Sequence, residues 1–551
     1  MLAALAKICY NSAGKRAKKM KLISVTVDNY RNLGELEFSF NDDLNFIIGE
    51  NNLGKSNFID LLEVLFNRTR FEPSDFFTVD AAIKIAFQVK LNDSEKNIFG
   101  ICENVLSVLA TQKNADSNIA YINAKNNTEI PVEAIRCVNF FRDESIPGQI
   151  LQFSFSRFEH LQKIQSYYYA EYGDIENLEV SEKFLLALEF SILEKIYAMS
   201  KTRQEKIKSA YNKHYIEQIL YGSESAAQDF SQRYELPMLL AFDELEIRLH
   251  PYMQRSLVRS LSKIINNENS FFCRILKKEF GIERLSGQLF IVTHSPNILL
   301  NNYKQFVRFY KTNGSSAVVC GKNIHVKNDK HLFKNFIYFK EAFFAKFVIV
   351  VEGDSEFAAI PEFAEKILNG KGFDSYGVSL IKADGKTSVN LVMNILQAFK
   401  INSLGMVDRD DDDISKIQAR LKHPPYLYTT QFRDFEEELL EKLGSENFSL
   451  LDRFLFLSDS DKRQSFYRTL RDEVLCKKKC EKYGIALCLE HSDDESALEQ
   501  YFDDKNALKL FYLSELNRRK GISFWHELGF ELPKEYIPDI YKKIIVEATS
   551  N

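Results

Sequence analysis

The chain has 551 residues, of which 45% are hydrophobic and 27% are charged, enough for about three or four domains with cores of their own. Its 72 basic and 77 acidic residues leave a net charge of −5, which excludes recognition of an anionic partner by overall charge, so a nucleic-acid site must be a local patch. Scattered cysteines, with no secretory or membrane-spanning apolar run, predict a cytoplasmic protein without a disulfide framework or a membrane partner.

The basic residues at the beginning of the chain form a leader of their own. Residues 1–20 carry five Lys or Arg residues and no acid. We expect residues 1–19 to be disordered and to lie outside the folded domains, because the first strand pattern begins only at Lys21. The remaining chain is therefore more acidic than the net charge suggests.

The predicted elements change in character along the chain and mark its domains. Alternating apolar positions from Lys21 to Phe40 predict a β-hairpin or meander, and LNFIIGE predicts a buried strand. Long helical stretches then give way to the strands MLLAFDE and QLFIVTHS, and a second α/β pattern begins with KFVIVVEGD. The predicted domains are one α/β head formed by residues 20–158 and 235–342, a helical insert of residues 159–234, and a second α/β domain of residues 343–551.

The strongest motif is GENNLGKS, a complete G-x-x-x-x-G-K-S between a predicted strand and a predicted helix. This is the order that phosphate binding requires, because glycines let backbone N–H groups wrap the phosphates and the helix N-terminus adds positive potential. The expected contacts to the phosphates come from Asn51, Asn52, Gly54 and Lys55, whereas Ser56 would bind Mg²⁺. We predict that the nucleotide is ATP.

Two later strands supply the groups that a nucleotide-hydrolysing site needs opposite the loop. Asp243 would hold Mg²⁺ through water, and Glu244 would orient or deprotonate the attacking water. A solvated Asp-Glu turn is the alternative for that pair alone. It becomes weaker because a second apolar strand ends in His294, which could contact a γ-phosphate.

These segments and the opening DNYRNLGELEF resemble, in order, the ABC-type ATPase head of the recombination, chromosome-maintenance and OLD (overcoming lysogenization defect) proteins, from Lys21 to about Lys340. Leu245 stands where the family usually has Pro. The family's glycine-rich signature is unclear, with Gly222, Ser223 and Ser225 as weak candidates. The resemblance therefore implies either slow ATP turnover or ATP that mainly orders a dimer.

The distance along the chain from Lys55 to Asp243 allows an inserted helical lobe but no long coiled-coil arm, and sustained heptads are missing. Within the resemblance, residues 159–234 would form a dimerisation lobe, with ordinary helical core as the alternative. The segment 266–287 is longer than a tight α/β connection and could contact a partner protein.

The last third of the chain carries carboxylates at predicted strand ends. Glu352 follows a buried strand, Glu356 lies one helical turn later, and Asp408 and Asp410 follow another apolar strand. Alternation along an extended segment would place both aspartates on one side. Together these oxygens would hold Mg²⁺ or Mn²⁺, and two such ions could activate water for phosphodiester cleavage. A solvated acidic loop is the alternative for residues 408–413.

An E-G-x-x-E strand end followed by D-x-D resembles the Toprim fold of topoisomerases, primases and OLD nucleases, and Toprim after an ABC-type head is the OLD arrangement. In domain order the chain is similar to antiphage OLD nucleases such as Gabija subunits and retron-associated effectors. The resemblance implies Glu436 as a further metal ligand, with Glu495 or Glu499 as alternatives. It also implies Lys520 as the residue that stabilises the phosphorane charge, unless this lysine is merely solvated.

The sequence thus predicts an ATP-regulated, metal-dependent DNA endonuclease that assembles as a homodimer or higher oligomer. A reverse transcriptase with its DNA/RNA, or a helicase, would be a partner from the same defence system. The alternative is an ATP-dependent DNA-binding scaffold or clamp with an inactive Toprim domain. A topoisomerase or primase would need a cleavage domain or zinc ribbon that no segment clearly supplies. Cys476, Cys480, Cys488 and His491 could ligate zinc, but their helix-like spacing favours free thiols.

Overall fold

The computed structural model divides the chain into two compact units, residues 1–324 and 325–551. None of the helices in its described ranges combines the length and the apolar character that crossing a bilayer requires. The described residues are 21–91, 103–132, 135, 139–143, 161–173, 177–208, 235–246, 249–326, 336, 339–410, 427–455, 457–487, 495–519 and 521–550. The predictions that fall outside these residues concern the leader 1–19, residues 209–234 of the dimerisation lobe, residues 411–413 of the acidic run, Gly222, Ser223, Ser225, Cys488, His491 and Lys520.

The first unit alternates strands and helices after an initial β region. Its strands and α-helices in chain order are β1 (Lys21–Asp28), β2 (Leu36–Ser39), β3 (Leu44–Gly49), α1 (Lys55–Asn67), β4 (Ile83–Lys90), β5 (Val105–Gln112), β6 (Ala120–Asn123), β7 (Asn139–Asp143), α2 (Gln162–Tyr172), α3 (Val180–Lys208), β8 (Glu235–Asp243), α4 (Pro251–Ile265), α5 (Ser270–Phe280), β9 (Arg284–Val292), β10 (Phe306–Thr312) and β11 (Ser315–Cys320).

An antiparallel sheet with the order β2–β1–β4–β5–β6 contains the hairpin that the first apolar alternation predicts. Val25 of β1 lies opposite Phe38 of β2. Strand β4 shows the pattern of a sheet with one covered face, because its Ile, Phe and Val side chains are buried and the residues between them are exposed. The hairpin prediction is therefore confirmed.

The second sheet of this unit has the order β11–β10–β3–β9–β8–β7 and is parallel except for β11. Strand β3 lies between β10 and β9 and is buried along its whole length, which explains its continuous apolar run. Since β3, β8 and β9 run in the same direction, the residues after each of them meet at one edge of the sheet. This edge carries the predicted nucleotide residues.

Helix α2 packs against α3 and against α5, which follows β8. Tyr168 of α2 contacts the rings of Phe190 in α3 and Phe271 in α5, with centroids 4.6 and 4.7 Å apart. Tyr167 of α2 donates a 2.7 Å hydrogen bond to Glu279 of α5. The segment 266–287, which looked like a separate insertion in the sequence, thus supplies a helix to this same cluster.

The second unit combines a small parallel sheet with many helices. Its strands and α-helices in chain order are β12 (Phe347–Val351), α6 (Asp354–Ile367), β13 (Val378–Lys382), α7 (Lys386–Ala398), β14 (Asn402–Val407), β15 (Leu427–Thr429), α8 (Phe435–Leu443), α9 (Asp459–Arg471), α10 (Glu473–Tyr483), α11 (Glu495–Glu499), α12 (Lys505–Arg518), α13 (Ile522–Glu531) and α14 (Asp539–Ser550).

The sheet of the second unit has the order β13–β12–β14–β15, with every pair parallel. Strand β12 is buried at all five positions, as expected for a strand inside a sheet covered on both faces. Val351, the last residue of β12, pairs with both Lys382 and Met406. The turns after β12, β13 and β14 therefore converge, and the predicted α/β fold class of both regions is confirmed.

Candidate functional sites

The loop between β3 and α1 has a backbone that depends on its two glycines. Gly49 has φ 125°, and a Cβ atom there would lie 2.0 Å from the carbonyl oxygen of Phe309 in the neighbouring strand. Gly54 has φ 103°, and its Cβ would meet the side chains of Asn32 and Leu33. Only glycine fits both positions without displacing its neighbours. The loop therefore has the tight, glycine-dependent form that phosphate binding requires.

The lysine of the loop is buried and folded back onto it. Lys55 Nζ donates hydrogen bonds to the carbonyl oxygens of Gly49 at 2.9 Å and Glu50 at 2.5 Å. Burial lowers the pKa of Lys55 to about 8, and the charges of Glu244 and Asp243 partly oppose that effect. Asn51 and Asn52 are exposed at the tip of the loop. The loop can thus present a cation and open backbone to an anion from solvent.

Two predicted Mg²⁺ contacts, Ser56 and Asp243, are brought together. The Ser56 side chain hydrogen-bonds to Asp243, whose pKa is raised by burial. The other oxygen of Asp243, Oδ1, is buried and has no hydrogen-bond partner among the described residues. A buried carboxylate oxygen without a donor is costly, and a bound cation would satisfy it. The pair therefore fits a Mg²⁺ ion.

Glu244 and His294 also lie side by side, at the ends of β8 and β9. Glu244 Oε1 is 3.7 Å from His294 Nε2. Burial and the nearby charge of Lys55 lower the pKa of His294, which favours its neutral form. Glu246, which the sequence analysis did not single out, accepts hydrogen bonds from Thr293 Oγ1 at 2.7 Å and from the His294 N–H at 2.6 Å. Glu246 thus fixes the loop that carries the histidine.

An arginine network surrounds the first turns of α1, and no sequence motif pointed to it. Asp60 binds Arg31 with one carboxylate oxygen and Arg142 with the other. Arg31 also pairs with Asp75 at 2.7 Å, and Arg142 Nη2 lies 3.8 Å from Asp243 Oδ2. Because Asp60 follows Ser56 by one helical turn, the network connects the phosphate loop to the end of β8.

At the second predicted site, Glu352 and Asp408 follow two adjacent parallel strands. The backbone N–H of Asp408 donates to Glu352 Oε2 at 3.3 Å. Glu356, in the first turn of α6, and Glu436, in the first turn of α8, are nearly fully buried. Ser355 Oγ donates to Glu436 Oε1 at 3.4 Å. The fold thus brings four of the predicted carboxyl groups to one edge of the sheet.

Carboxyl groups of this cluster have raised pKa values. Burial, followed by the charges of Glu356 and Glu436, raises the pKa of Asp408 far above its usual range. Burial and the charges of Glu436 and Glu352 likewise raise the pKa of Glu356. Asp408 Oδ1 is buried without a hydrogen-bond partner in the described part of the chain. Buried oxygens of this kind match the ligand preference of hard divalent cations.

The reason given for placing Asp410 beside Asp408 was wrong. The extended backbone assumed for both residues ends at Val407. Asp410 lies in a turn with φ 47°, and its own backbone N–H donates to the Arg433 carbonyl at 2.8 Å. Asp410 nevertheless stays close enough to raise the pKa of Glu352 by its charge. Turn geometry, and not strand alternation, therefore brings it to the site.

The carboxylates are gathered, but they do not yet form a finished metal site. Among the residues that the structure describes, no group of three or more His, Cys, Asp or Glu side chains has the geometry of a metal centre. The cluster is therefore a set of candidate ligands.

Other predicted candidates are placed elsewhere. Glu495 pairs with Arg471 at 3.0 Å and Glu499 pairs with Arg463 at 2.8 Å, on exposed helix surfaces. Of the three late glutamates considered, only Glu436 contributes to the electrostatics of Asp408. Cys476 is buried and donates through Sγ to the Thr469 carbonyl at 3.2 Å. This contact agrees with the free-thiol interpretation.

Basic residues approach the carboxylates from two sides. Lys386, the first residue of α7, lies with Nζ 2.6 Å from Asp410 Oδ2. Lys479 of α10 has its pKa lowered to about 8 by burial and by the positive charges of Arg518 and Lys482, whereas Asp434 and Glu436 act in the opposite direction. The sequence showed Lys477 to Lys479 only as a charged run. Lys479 comes close to Arg518 only through the packing of the helices.

Two family profiles match the regions that carry the candidate sites. Residues 20–224 and 218–299 match the family profile of the AAA ATPase domain, and residues 343–410 match the Toprim domain of overcoming-lysogenization-defect-like proteins. The chain belongs to the OLD family of ATPase–Toprim proteins. This is an ATPase-linked nuclease family. No curated protein matches the chain.

Solved structures similar to this OLD-family chain fall into two groups. The C-terminal region of the Xanthomonas campestris pv. campestris OLD protein has 19% identity and a TM-score of 0.25, over 38% of this chain and 95% of that one. The corresponding region from Burkholderia pseudomallei has 19% identity and a TM-score of 0.24, over 37% and 99%. The SMC head domain from Thermotoga maritima has 14% identity and a TM-score of 0.30, over 56% and 100%.

Proposed function

We propose that this OLD-family protein is an ATP-regulated, divalent-metal-dependent DNA endonuclease. The observation that carries the proposal is Asp408, a buried carboxyl group with an unpartnered oxygen, set among Glu352, Glu356 and Glu436. A core position of this kind is unfavourable for the folded chain alone. Bound Mg²⁺ or Mn²⁺ at these oxygens offsets that cost.

Each carboxylate has a task that follows from its position. Glu356 and Glu436 are the most buried and would hold the cations together with Asp408, whose Oδ1 is buried, and Asp410 would complete the set from the turn. Glu352 is less buried and would act as a ligand or as the base that accepts a proton from water. The metal, when bound, supplies an activated water and stabilises the leaving oxygen of the phosphodiester. Lys520 stays the proposed source of transition-state charge stabilisation.

The ATPase head would regulate cleavage through Mg²⁺–ATP. Asn51, Asn52, Gly54 and Lys55 would hold the phosphates, and Ser56 and Asp243 would hold Mg²⁺. Glu244, beside a neutral His294, would orient the attacking water. We propose that ATP orders a homodimer or higher oligomer through residues 159–234, inserted between head segments 20–158 and 235–342, and that residues 343–551 form the nuclease domain.

A nicking assay on supercoiled plasmid tests the nuclease. We expect the wild type to nick DNA with Mg²⁺ or Mn²⁺ and to lose activity in EDTA. Asp408→Asn and Glu436→Gln should each reduce the rate at least about 100-fold, because each removes a negative ligand. Glu499→Gln, in a surface ion pair, should leave it unchanged. Equal rates in all four proteins would exclude cleavage by this cluster.

The same proteins distinguish the nuclease from a DNA-binding scaffold. A scaffold would bind plasmid DNA in an ATP-dependent manner, and the wild type would show no metal-dependent nicking.

We further propose a role in bacterial antiphage defence, with a reverse transcriptase carrying its DNA/RNA, or a helicase, as partner. Phage plating on cells that express wild type, Asp408→Asn or Lys55→Met tests this role. The mass of the native complex and its copurifying nucleic acid test the partner.

A further inference from the structure

Lys386 forms an ion pair with a residue of the carboxylate cluster. Its Nζ lies 2.6 Å from Asp410 Oδ2, and its side chain is only 18% exposed. The backbone N–H of Lys386 hydrogen-bonds to the carboxylate of Glu352, and its charge lowers the pKa of that residue. One lysine therefore contacts two of the candidate metal ligands, one through its side chain and one through its backbone.

The turn before α7 fixes Lys386 in this position. The N–H of Ala383 donates to the Val351 carbonyl at 3.0 Å, and the N–H of Gly385 donates to the Glu352 carbonyl at 3.1 Å. Gly385 has φ 111°, which lets the chain turn directly into the helix. These backbone bonds hold the start of α7 against the end of β12, and the ion pair with Asp410 places the ammonium group at the edge of the site.

A neighbouring lysine shows that this placement is specific. Lys382 lies only four residues earlier, but its Nζ pairs with Asp354 at 2.8 Å and with Asp384 at 3.0 Å. Neither acid belongs to the candidate ligand set. Lys382 therefore offers a matched control, with the same charge in the same turn region but other carboxylate partners.

We propose that Lys386 is the resident counter-cation of the carboxylate site and that it exchanges Asp410 for a phosphate oxygen of the substrate when metal binds. This inference rests on the proposed nuclease function. Before metal binds, the ammonium group neutralises part of the clustered negative charge. A divalent cation that is coordinated by Asp410 repels the ammonium group and releases it from that carboxylate. The released ammonium group remains at the same edge of the sheet, where the phosphodiester must lie.

The proposal predicts opposite effects on metal binding and on cleavage. Lys386→Met removes the competing positive charge, so Mn²⁺ should bind more tightly in the absence of DNA, by about three- to tenfold. The same variant lacks the phosphate contact, so nicking at saturating Mn²⁺ should fall at least about tenfold. Lys386→Arg should retain cleavage better than Lys386→Met. A purely structural role would weaken both metal binding and cleavage.

Mn²⁺ binding to the full-length protein without nucleotide is measured by the electron paramagnetic resonance signal of free Mn²⁺, with Asp408→Asn as the blank for this site. The single tryptophan, Trp525, provides a second readout, since its ring lies 5.1 Å from that of Phe435, next to Glu436. Lys382→Met should change Mn²⁺ affinity less than Lys386→Met. If Lys386→Met does not fold, Lys386→Gln carries the same test.

The possible failures are distinguishable. Wild-type protein that binds no more Mn²⁺ than Asp408→Asn would remove the proposed metal site itself. Wild type that binds Mn²⁺, together with a Lys386→Met variant of equal or lower affinity, would overturn the counter-cation proposal and leave the nuclease proposal intact. Tighter Mn²⁺ binding with unchanged cleavage would overturn the exchange to substrate phosphate.

Discussion

The guanidinium group of Arg142 lies 3.8 Å from the carboxylate of Asp243, between that residue and the acids of the phosphate-loop helix. It also contacts Asp60, and it reaches Glu63 at 3.4 Å. Arg142 is the last but one residue of β7, which pairs in parallel with β8, so the sheet itself sets this distance. The positive charge of Arg142 lowers the pKa of Asp243 against the effect of burial.

We therefore expect Arg142→Ala to weaken Mg²⁺–ATP binding about tenfold or more. Without the arginine, Asp60, Glu63 and Asp243 are left together with less positive charge, and the pKa of Asp243 rises further. Loss of a partly buried partner should also lower the free energy of unfolding by about 2 kcal/mol. Titration calorimetry and thermal unfolding measure the two effects. Unchanged ATP affinity in a folded variant would show that Arg142 serves only stability.

Gly49→Ala should disrupt the phosphate loop through the backbone of the adjacent strand. The new Cβ atom would lie 2.0 Å from the carbonyl oxygen of Phe309, so β3 and β10 must separate locally. We expect a loss of about 3 kcal/mol of stability and of measurable ATP binding. Gly314→Ala is the matched control, with φ 82° and no atom within 4 Å of its Cβ, and should cost about 1 kcal/mol.

Lys479 is expected to contact the phosphate backbone of DNA. It lies near Arg518 and Lys482 and has no described ion pair with a carboxylate, so an anion would relieve the repulsion among these cations. Lys479→Ala should weaken DNA binding about three- to tenfold regardless of sequence, and should reduce the slope of log affinity against log salt by about 1. Lys477→Ala, exposed on the same helix, should have a smaller effect on both. Equal salt slopes for the two variants would contradict a contact by Lys479.

We expect Glu189 of α3 to make the stability of the first unit depend on pH. This buried carboxyl group accepts hydrogen bonds from Tyr168 at 2.6 Å and from Asn269 at 2.8 Å, yet burial raises its pKa to about 7. The folded state therefore binds the proton more tightly than the unfolded state. The free energy of unfolding should fall as pH rises from about 4.5 to 7, and should then level off.

Glu189→Gln should remove this pH dependence and raise the melting temperature of the first unit at pH 8 by a few degrees. The effect corresponds to about 2 kcal/mol, because the neutral amide avoids the cost of a buried charge. Thermal unfolding between pH 5 and pH 8 measures it. Glu182→Gln, exposed on the same helix, is the control. Parallel pH profiles for wild type and Glu189→Gln would contradict the prediction.

The sequence predicted the local parts of both sites well. Glycine spacing, a preceding apolar run and a following helical pattern identify the loop at Lys55, since these residues are neighbours in the chain. The same reasoning placed Glu352 and Asp408 after strands, and parallel strands bring their following residues to one edge. The resemblance left Glu436, Glu495 and Glu499 open as the later ligand, and only the packing of α8 brings Glu436 close to Asp408.

What the sequence alone determined about this protein is its order of elements and the two sets of polar residues that follow its strands, because both follow from short-range patterns. Tertiary structure decided which charges face these groups. Arg142 lies in no sequence motif, Lys386 follows the glycine of the turn between the two acidic strands, and Lys479 belongs to a charged run. The partners of all three are set by the packing of strands, helices and turns. The physical reason is that electrostatic interaction depends on distance and burial in space, which one-dimensional spacing does not specify.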